Sequence, residues 1–285
     1  MGQLIAGVDL GGTTIKVALS DQPGKVQCKE AIPTDSHLGP QDVVTRIGSL
    51  LESLATKQGQ GLAAVGIGVP GLVDVSSGVT KFLPNLETQW RNVPVGETLS
   101  TQLGCPVGLL NDVRTATLAE LRFGHGRDLP RVTMAFFSLG TGVGGGVAVD
   151  GQLRLGPLGA AGELGHQTVL LDGPRCGCGN HGCLETLASG TAIAAEGVRL
   201  MRMGLAPKLH EIVDGDANRV TTLEMATAAE FDPPIHEAIV TAAKYLGVAA
   251  ANVVTILHPD IVVLGGGVAE TVSYTHLTLP TTPYV

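Results

Sequence analysis

The chain has 285 residues, of which 44% are hydrophobic and 15% charged, which excludes a disordered chain and supplies apolar material for about two domains. Its net charge is −8 and no Lys/Arg cluster stands out, so no nucleic-acid partner is expected, since such a surface needs a basic face. No run approaches the ~18 apolar residues of a membrane helix, and the start, Met1-Gly2-Gln3-Leu4, has no basic leader, so the expectation is a cytoplasmic protein with no membrane segment.

In chain order, Leu4 to Leu10 is an apolar run that meets Gly11-Gly12-Thr13-Thr14 and continues as Ile15 to Leu19. This predicts a strand, a glycine turn and a returning strand. Apolar residues at Val43, Ile47, Leu50, Leu51 and Leu54 predict a helix. Ala63 to Val69 reads as a buried strand ending at Pro70-Gly71, and Val107 to Leu110 as a second one. A helix is predicted from Thr115 to Phe123. Val132 to Leu139 then runs into Gly140-Thr141-Gly142-Val143-Gly144-Gly145-Gly146 and on to Val147-Ala148-Val149. This second strand–glycine turn–strand unit follows the first by about 130 residues, which suggests a duplicated domain with its boundary near Asp112 to Thr115. Helices are predicted over Ala188 to Met203 and Ile235 to Val254. A last strand, Ile261 to Leu264, ends at Gly265-Gly266-Gly267.

Successive backbone N–H groups in a glycine turn form a concave anion site that larger side chains would block. Thr13 and Thr14 add hydroxyls, and Asp9, just before the first turn, could hold Mg²⁺ directly or through water. Neither turn fits the phosphate-loop or dinucleotide fingerprints. Leu109-Leu110-Asn111-Asp112 brings an Asn-Asp pair to a strand's end, where ligands gather in open α/β sheets. The same pair reads equally well as a turn or helix cap. Three cysteines lie between Cys176 and Cys183, in Cys176-Gly177-Cys178-Gly179-Asn180-His181-Gly182-Cys183. With one imidazole, from His166 or His181 on spacing alone, they form a complete tetrahedral Zn²⁺ set and therefore a structural site. Cys28 and Cys105 have no such setting.

Asp9-Leu10-Gly11-Gly12-Thr13-Thr14 and Ser138-Leu139-Gly140-Thr141-Gly142 resemble the paired phosphate motifs of actin/hexokinase-type ATPases. The stretch from Leu139 to Gly146, with Gly159-Ala160-Ala161-Gly162-Glu163-Leu164-Gly165-His166 and the cysteine cluster, resembles the ROK family of repressors and sugar kinases. The resemblance spans about Leu4 to Gly267. It implies an α/β, duplicated actin-like (ribonuclease H-like) ATPase fold. Two domains, 1–113 and 114–271, would surround a cleft, the second carrying the zinc loop. The implied reaction is transfer of the γ-phosphoryl group of Mg-ATP to the 6-hydroxyl of a hexose, with Asp112 as base. Glucose is the first choice of substrate. N-acetylglucosamine, N-acetylmannosamine and fructose stay open, as does polyphosphate as donor.

By the same resemblance Asn85, Asn111, Asp112, Glu163, His166 and Glu185 would hold the sugar. Asp9, Gly11, Gly12, Thr13, Thr14, Gly140, Thr141, Gly142, Gly265 and Gly266 would hold the nucleotide. His166, Cys176, Cys178 and Cys183 would hold zinc, and the assembly would be a homodimer or homotetramer. One departure stands out: the family often follows the Asp with Ala-Asn-Ala, where this chain has Val113-Arg114-Thr115. A sugar-responsive repressor is disfavoured because Leu4 leaves no room for a DNA-binding segment ahead of the first turn; a non-catalytic sugar sensor remains a rival. Residues 272–285, beginning Val272-Ser273-Tyr274-Thr275, have neither helical nor strand period and resemble a translated sequencing adapter.

Overall fold

The computed structural model describes residues 3–22, 24–157 and 159–271. The chain divides into two compact units: Met1–Gly124 with Leu155–Ala161, and His125–Arg154 with Gly162–Val285. The division falls after the helix that follows Asp112, whereas the sequence reading set it before that helix. The expected tail at 272–285 lies outside the described residues.

The first unit contains β1 (Gln3–Leu10), β2 (Thr14–Gln22), β3 (Lys25–Pro33), α1 (Pro40–Lys57) and β4 (Gly61–Val69). It continues with β5 (Leu72–Asp74), β6 (Val79–Leu83), β7 (Trp90–Val93), α2 (Val95–Leu103), β8 (Val107–Asn111) and α3 (Asp112–Arg122). Its main sheet has the order β3-β2-β1-β4-β8, and β5-β6-β7 form a small second sheet. β1 alternates along its length, with Leu4, Ala6, Val8 and Leu10 all buried. Those residues meet Val43, Val44, Ile47, Leu51 and Leu54, the apolar stripe of α1, in one core. Pro40 opens α1, where its missing N–H is no loss, and Gly104 closes α2 in the left-handed region at φ 65°. β3 is not evident in the sequence, because as an edge strand it has only a half-buried face, with Cys28 and Ile32 against the core.

The second unit contains β9 (Met134–Leu139), β10 (Val143–Val149), β11 (Gln152–Arg154), α4 (Glu185–Ala188) and α5 (Gly190–Arg202). Then follow α6 (Pro207–Ile212), α7 (Thr222–Ala228), α8 (Pro233–Leu257), β12 (Ile261–Gly265) and α9 (Gly267–Thr271). Its sheet order is β11-β10-β9-β12. In both sheets a glycine-tipped hairpin forms the first two strands, antiparallel, and the next strand on the other side runs parallel to the first. The two sheets are thus the same device twice, the expected duplication of an α/β fold.

The helix expected over Ala188 to Met203 is interrupted at Ser189, which is extended (ψ 161°) and caps α5 by accepting from Ala192 N at 3.1 Å. Ala135, Phe137, Leu139 and Val143 of the sheet join Ile235, Ile239, Ala242, Leu246 and Val253 of α8 in the second core. The expectation that no run is long and apolar enough to cross a membrane is corrected: among the described residues α8 is, by length and composition. Its buried residues recur every three or four positions, and Glu237 and Lys244 interrupt its other faces.

Candidate functional site

In the first unit the C-terminal ends of β1, β4 and β8 lie side by side, with Asp9 opposite Gly68 and Val69 opposite Asn111. This register gathers Asp9, Gly68-Val69-Pro70 and Asn111-Asp112 at one edge of a parallel sheet, where ligands bind in open α/β folds. Asn111 caps α3: its Oδ1 accepts from Val113 N at 3.1 Å and Arg114 N at 3.2 Å. Its Nδ2 donates to Gly71 O at 3.2 Å and to Asp112 Oδ1 at 2.8 Å. Asn111 is therefore a helix cap that also bonds the carboxylate beside it.

Asp112 is half-buried, and Val113 N donates to its Oδ1 at 2.9 Å. Oδ2 accepts no bond among the described residues. Burial holds this carboxyl above the ordinary carboxylate range, against the lowering effect of the Val113 amide, and the negative charge of Asp9 adds to the rise. Asp9 itself is exposed and pairs with Lys16 at 3.6 Å.

The first glycine turn is tight: Gly11 N donates to Thr14 O at 3.0 Å, and Thr34 Oγ1 donates to Gly11 O at 2.7 Å. A Cβ on Gly12 would come within 3.2 Å of the Asn85 carbonyl, so the loop of Pro84-Asn85-Leu86 lies against the turn. Asn85 is exposed while Leu86 anchors the loop in the core.

In the second unit the turn after β9 closes with Gly140 N donating to Gly142 O at 3.0 Å. Gly190 N, at the start of α5, donates to Gly140 O at 2.8 Å, and Thr191 Oγ1 to Thr141 O at 2.9 Å. Gly266 (φ 94°) lies against the Leu139 carbonyl, so Gly265-Gly266 borders the same turn. The long glycine run divides by task. Gly140 and Gly142 form the tip, while Gly145, in β10, lets Leu164 approach so closely that a Cβ would come within 2.6 Å of it. Leu164 and Gly165 are buried, and Glu163 is at the exposed start of that 3-10 turn.

Glu185, at the start of α4, spans two features. Its Oε2 accepts from Val143 N at 3.1 Å, and its Oε1 is 3.9 Å from Cys176 Sγ. Sequence spacing linked Glu185 to the cysteine loop but gave no sign of its bond to the second glycine turn, which is distant in the chain.

His166, Cys176, Cys178 and Cys183 have their ligand atoms all within 4.8 Å of one another. Cys178 Sγ is 3.7 Å from Cys183 Sγ, and Cys176 Sγ is 3.6 Å from His166 Nδ1. Tetrahedral Zn²⁺ with bonds of about 2.0–2.3 Å sets its ligands roughly 3.4–3.8 Å apart, so the donor set and the spacing both fit that ion. His166 belongs to the cluster and His181 does not. Burial pushes the Cys183 thiol up to about 12, with the other two sulfurs adding to the rise. Three crowded thiols therefore ionise together only with a cation among them.

The model of the ROK family matches residues 5–282. A glucokinase from Thermotoga maritima is 37% identical over 273 residues, covering 93% of this chain and 82% of that protein. A ROK family glucokinase from Streptomyces griseus, solved in complex with glucose and AMPPNP, superposes with a TM-score of 0.77 at 31% identity, covering 94% of this chain and 84% of that one. A xylose repressor from Caldicellulosiruptor bescii is 31% identical over 92% of this chain and 65% of its own length. Matching motifs, a duplicated sheet and these relatives agree: the chain belongs to the ROK family.

Proposed function

We propose that the protein is a sugar kinase that transfers the γ-phosphoryl group of ATP to a hexose, glucose being the first candidate. The observation that carries this reading is Asp112: half-buried, with Oδ1 held by two donors and Oδ2 open, at the strand edge beside the first glycine turn. A kinase acting on an alcohol needs a carboxylate able to take the hydroxyl proton as attack proceeds, and a pKa raised towards the working pH improves that transfer. The backbone amides of the Gly11-Gly12 and Gly140–Gly142 turns, with Thr13, Thr14 and Thr141, would hold the phosphates, and Gly265-Gly266 would border the nucleoside. Mg²⁺ held near Asp9 would neutralise phosphate charge. Asn85, Glu163, His166 and Glu185 would grip the sugar hydroxyls, with Asn111 setting the carboxylate's direction. Zn²⁺ on His166, Cys176, Cys178 and Cys183 would fix the loop that presents Glu185.

The test is ADP release from Mg-ATP with glucose, N-acetylglucosamine, N-acetylmannosamine and fructose offered separately, and sugar-phosphate formation with polyphosphate as a second donor. Turnover that depends on a sugar establishes the kinase, and the sugar with the highest kcat/KM names it. Sugar binding without turnover would instead favour the sensor reading.

Two further outcomes follow from the geometry. In Asp9→Asn, loss of the neighbouring negative charge lets Asp112 ionise more easily, so the acidic limb of kcat/KM shifts to lower pH even as activity falls. An unmoved limb, read from rate profiles of both proteins, would remove Asp112 as the titrating base. In Gly142→Ala, the new Cβ would collide with Glu185 Oε2 and push that carboxylate aside. KM for sugar and for ATP should then both rise, by about tenfold or more; steady-state kinetics with each substrate varied would show it.

A further inference from the structure

Arg114 is 1% exposed, the most enclosed cation among the described residues. It stands in the first turn of α3, where the helix dipole disfavours positive charge, and burial of the guanidinium adds a desolvation cost. A charge in so unfavourable a place has to be held by specific partners. Nη2 donates to Ala161 O at 3.0 Å, and Nη1 points to Asn111 Oδ1 at 3.5 Å.

These two partners belong to different parts of the proposed machinery. Asn111 donates to Asp112 Oδ1. Ala161 ends the crossover segment Leu155–Ala161, which packs with the first unit although its sequence neighbours belong to the second. Ala161 N donates to Leu155 O at 2.9 Å, and Gly159 lies against the Val73 carbonyl of β5. One side chain thus ties the strand end that presents Asp112 to the end of the crossover segment.

We infer that Arg114 is a positioning residue for sugar binding, holding the Asn111 cap, and with it the Asp112 carboxylate, against the end of the crossover segment at Ala161. The inference rests on the proposed sugar site and names a residue within it that touches no reacting atom. It also accounts for the departure Val113-Arg114-Thr115: a long forked donor at this position reaches the Ala161 carbonyl, which neither an alanine nor an asparagine could do from the same turn. ATP binding depends on the glycine turns and should be indifferent to it.

The experiment compares wild type, Arg114→Lys and Arg114→Gln. Glucose Kd is read by calorimetry, KM for glucose and for ATP by ADP release, and folding by thermal melting. Expected for Arg114→Gln is a rise of about tenfold or more in glucose Kd and KM, with KM for ATP within about twofold of wild type. Arg114→Lys, which keeps the charge and loses the fork, should fall between the two. Unchanged glucose Kd in either folded variant overturns the inference, as does an equal rise in both KM values, the sign of general loosening. Glucose binding in wild type without turnover would sink the kinase reading alone, since the Kd comparison still stands. Wild type that binds none of the four sugars would sink both.

Discussion

Asp112→Asn is expected to lower kcat by about 10²–10⁴-fold while leaving glucose Kd within a few-fold of wild type and raising the melting temperature. The first effect follows from chemistry. The amide keeps the shape of the carboxylate, so the sugar still binds, but it cannot accept the hydroxyl proton as the phosphoryl group is transferred. The third follows from the sign of the pKa change. Burial and the charge of Asp9 hold this carboxyl above its ordinary range, so the folded protein binds its proton more tightly than the unfolded chain does. The stability associated with that proton is present below the unfolded pKa and is lost as pH rises through the folded one. At neutral pH the folded protein therefore bears the cost of an ionised, half-buried Asp112. Asparagine removes the charge and can keep one acceptor for the Val113 amide, so it lifts that cost. A variant that is inactive, binds glucose and melts higher than wild type is the combined signature. Retained turnover would show that Asp112 is not the base. Lower melting with lost sugar binding would show that it is a structural anchor.

The parts legible in the sequence are those where one residue type is compelled by geometry. Both glycine-tipped hairpins could be read because few other residues permit such a tip, and their recurrence suggested the duplication that the two sheets display. The cysteine cluster could be read because its members are neighbours in the chain. The choice between His166 and His181 could not be made from spacing, since it depends on which imidazole folds back onto the sulfurs. What stayed hidden depends on contacts distant in sequence. β3 has only a half-buried face to reveal it, and the break at Ser189, at the start of the helix expected from Ala188, lies only in that residue's backbone and cap. Arg114 stands out in the sequence only as a departure from the family's pattern, and its bond to the Ala161 carbonyl shows only in the fold. The cap is one of two readings that Asn111-Asp112 allows, and the structure shows it, together with a bond from Asn111 to Asp112 that the sequence does not suggest.

Cys178→Ser should have the largest effect on stability. Cys178 is exposed, and serine is nearly its size, so the packing of the loop changes little when the sulfur is replaced. Whatever is lost then belongs to the metal. A structural Zn²⁺ site contributes its binding free energy directly to folding, and a ligand set reduced to two thiolates and an imidazole holds the ion far less firmly. Wild type should contain one zinc per chain by elemental analysis and the variant close to none, with a melting temperature lower by about 5 °C or more. Acid should release the ion from wild type, because each thiolate that binds it must first lose a proton, and the Cys183 thiol without a cation ionises only at about 12. The effect should extend to the sugar. Glu185 follows Cys183 by two positions, approaches Cys176 Sγ at 3.9 Å and accepts from Val143 N, so loosening the loop displaces a carboxylate assigned to the hexose. Glucose KM should rise about tenfold or more in Cys178→Ser. Zinc lost with glucose KM unchanged would confine the metal to folding. Zinc absent from wild type, with both proteins melting alike, would mean that the four groups converge without an ion and that Glu185 is held by its bond to Val143 alone.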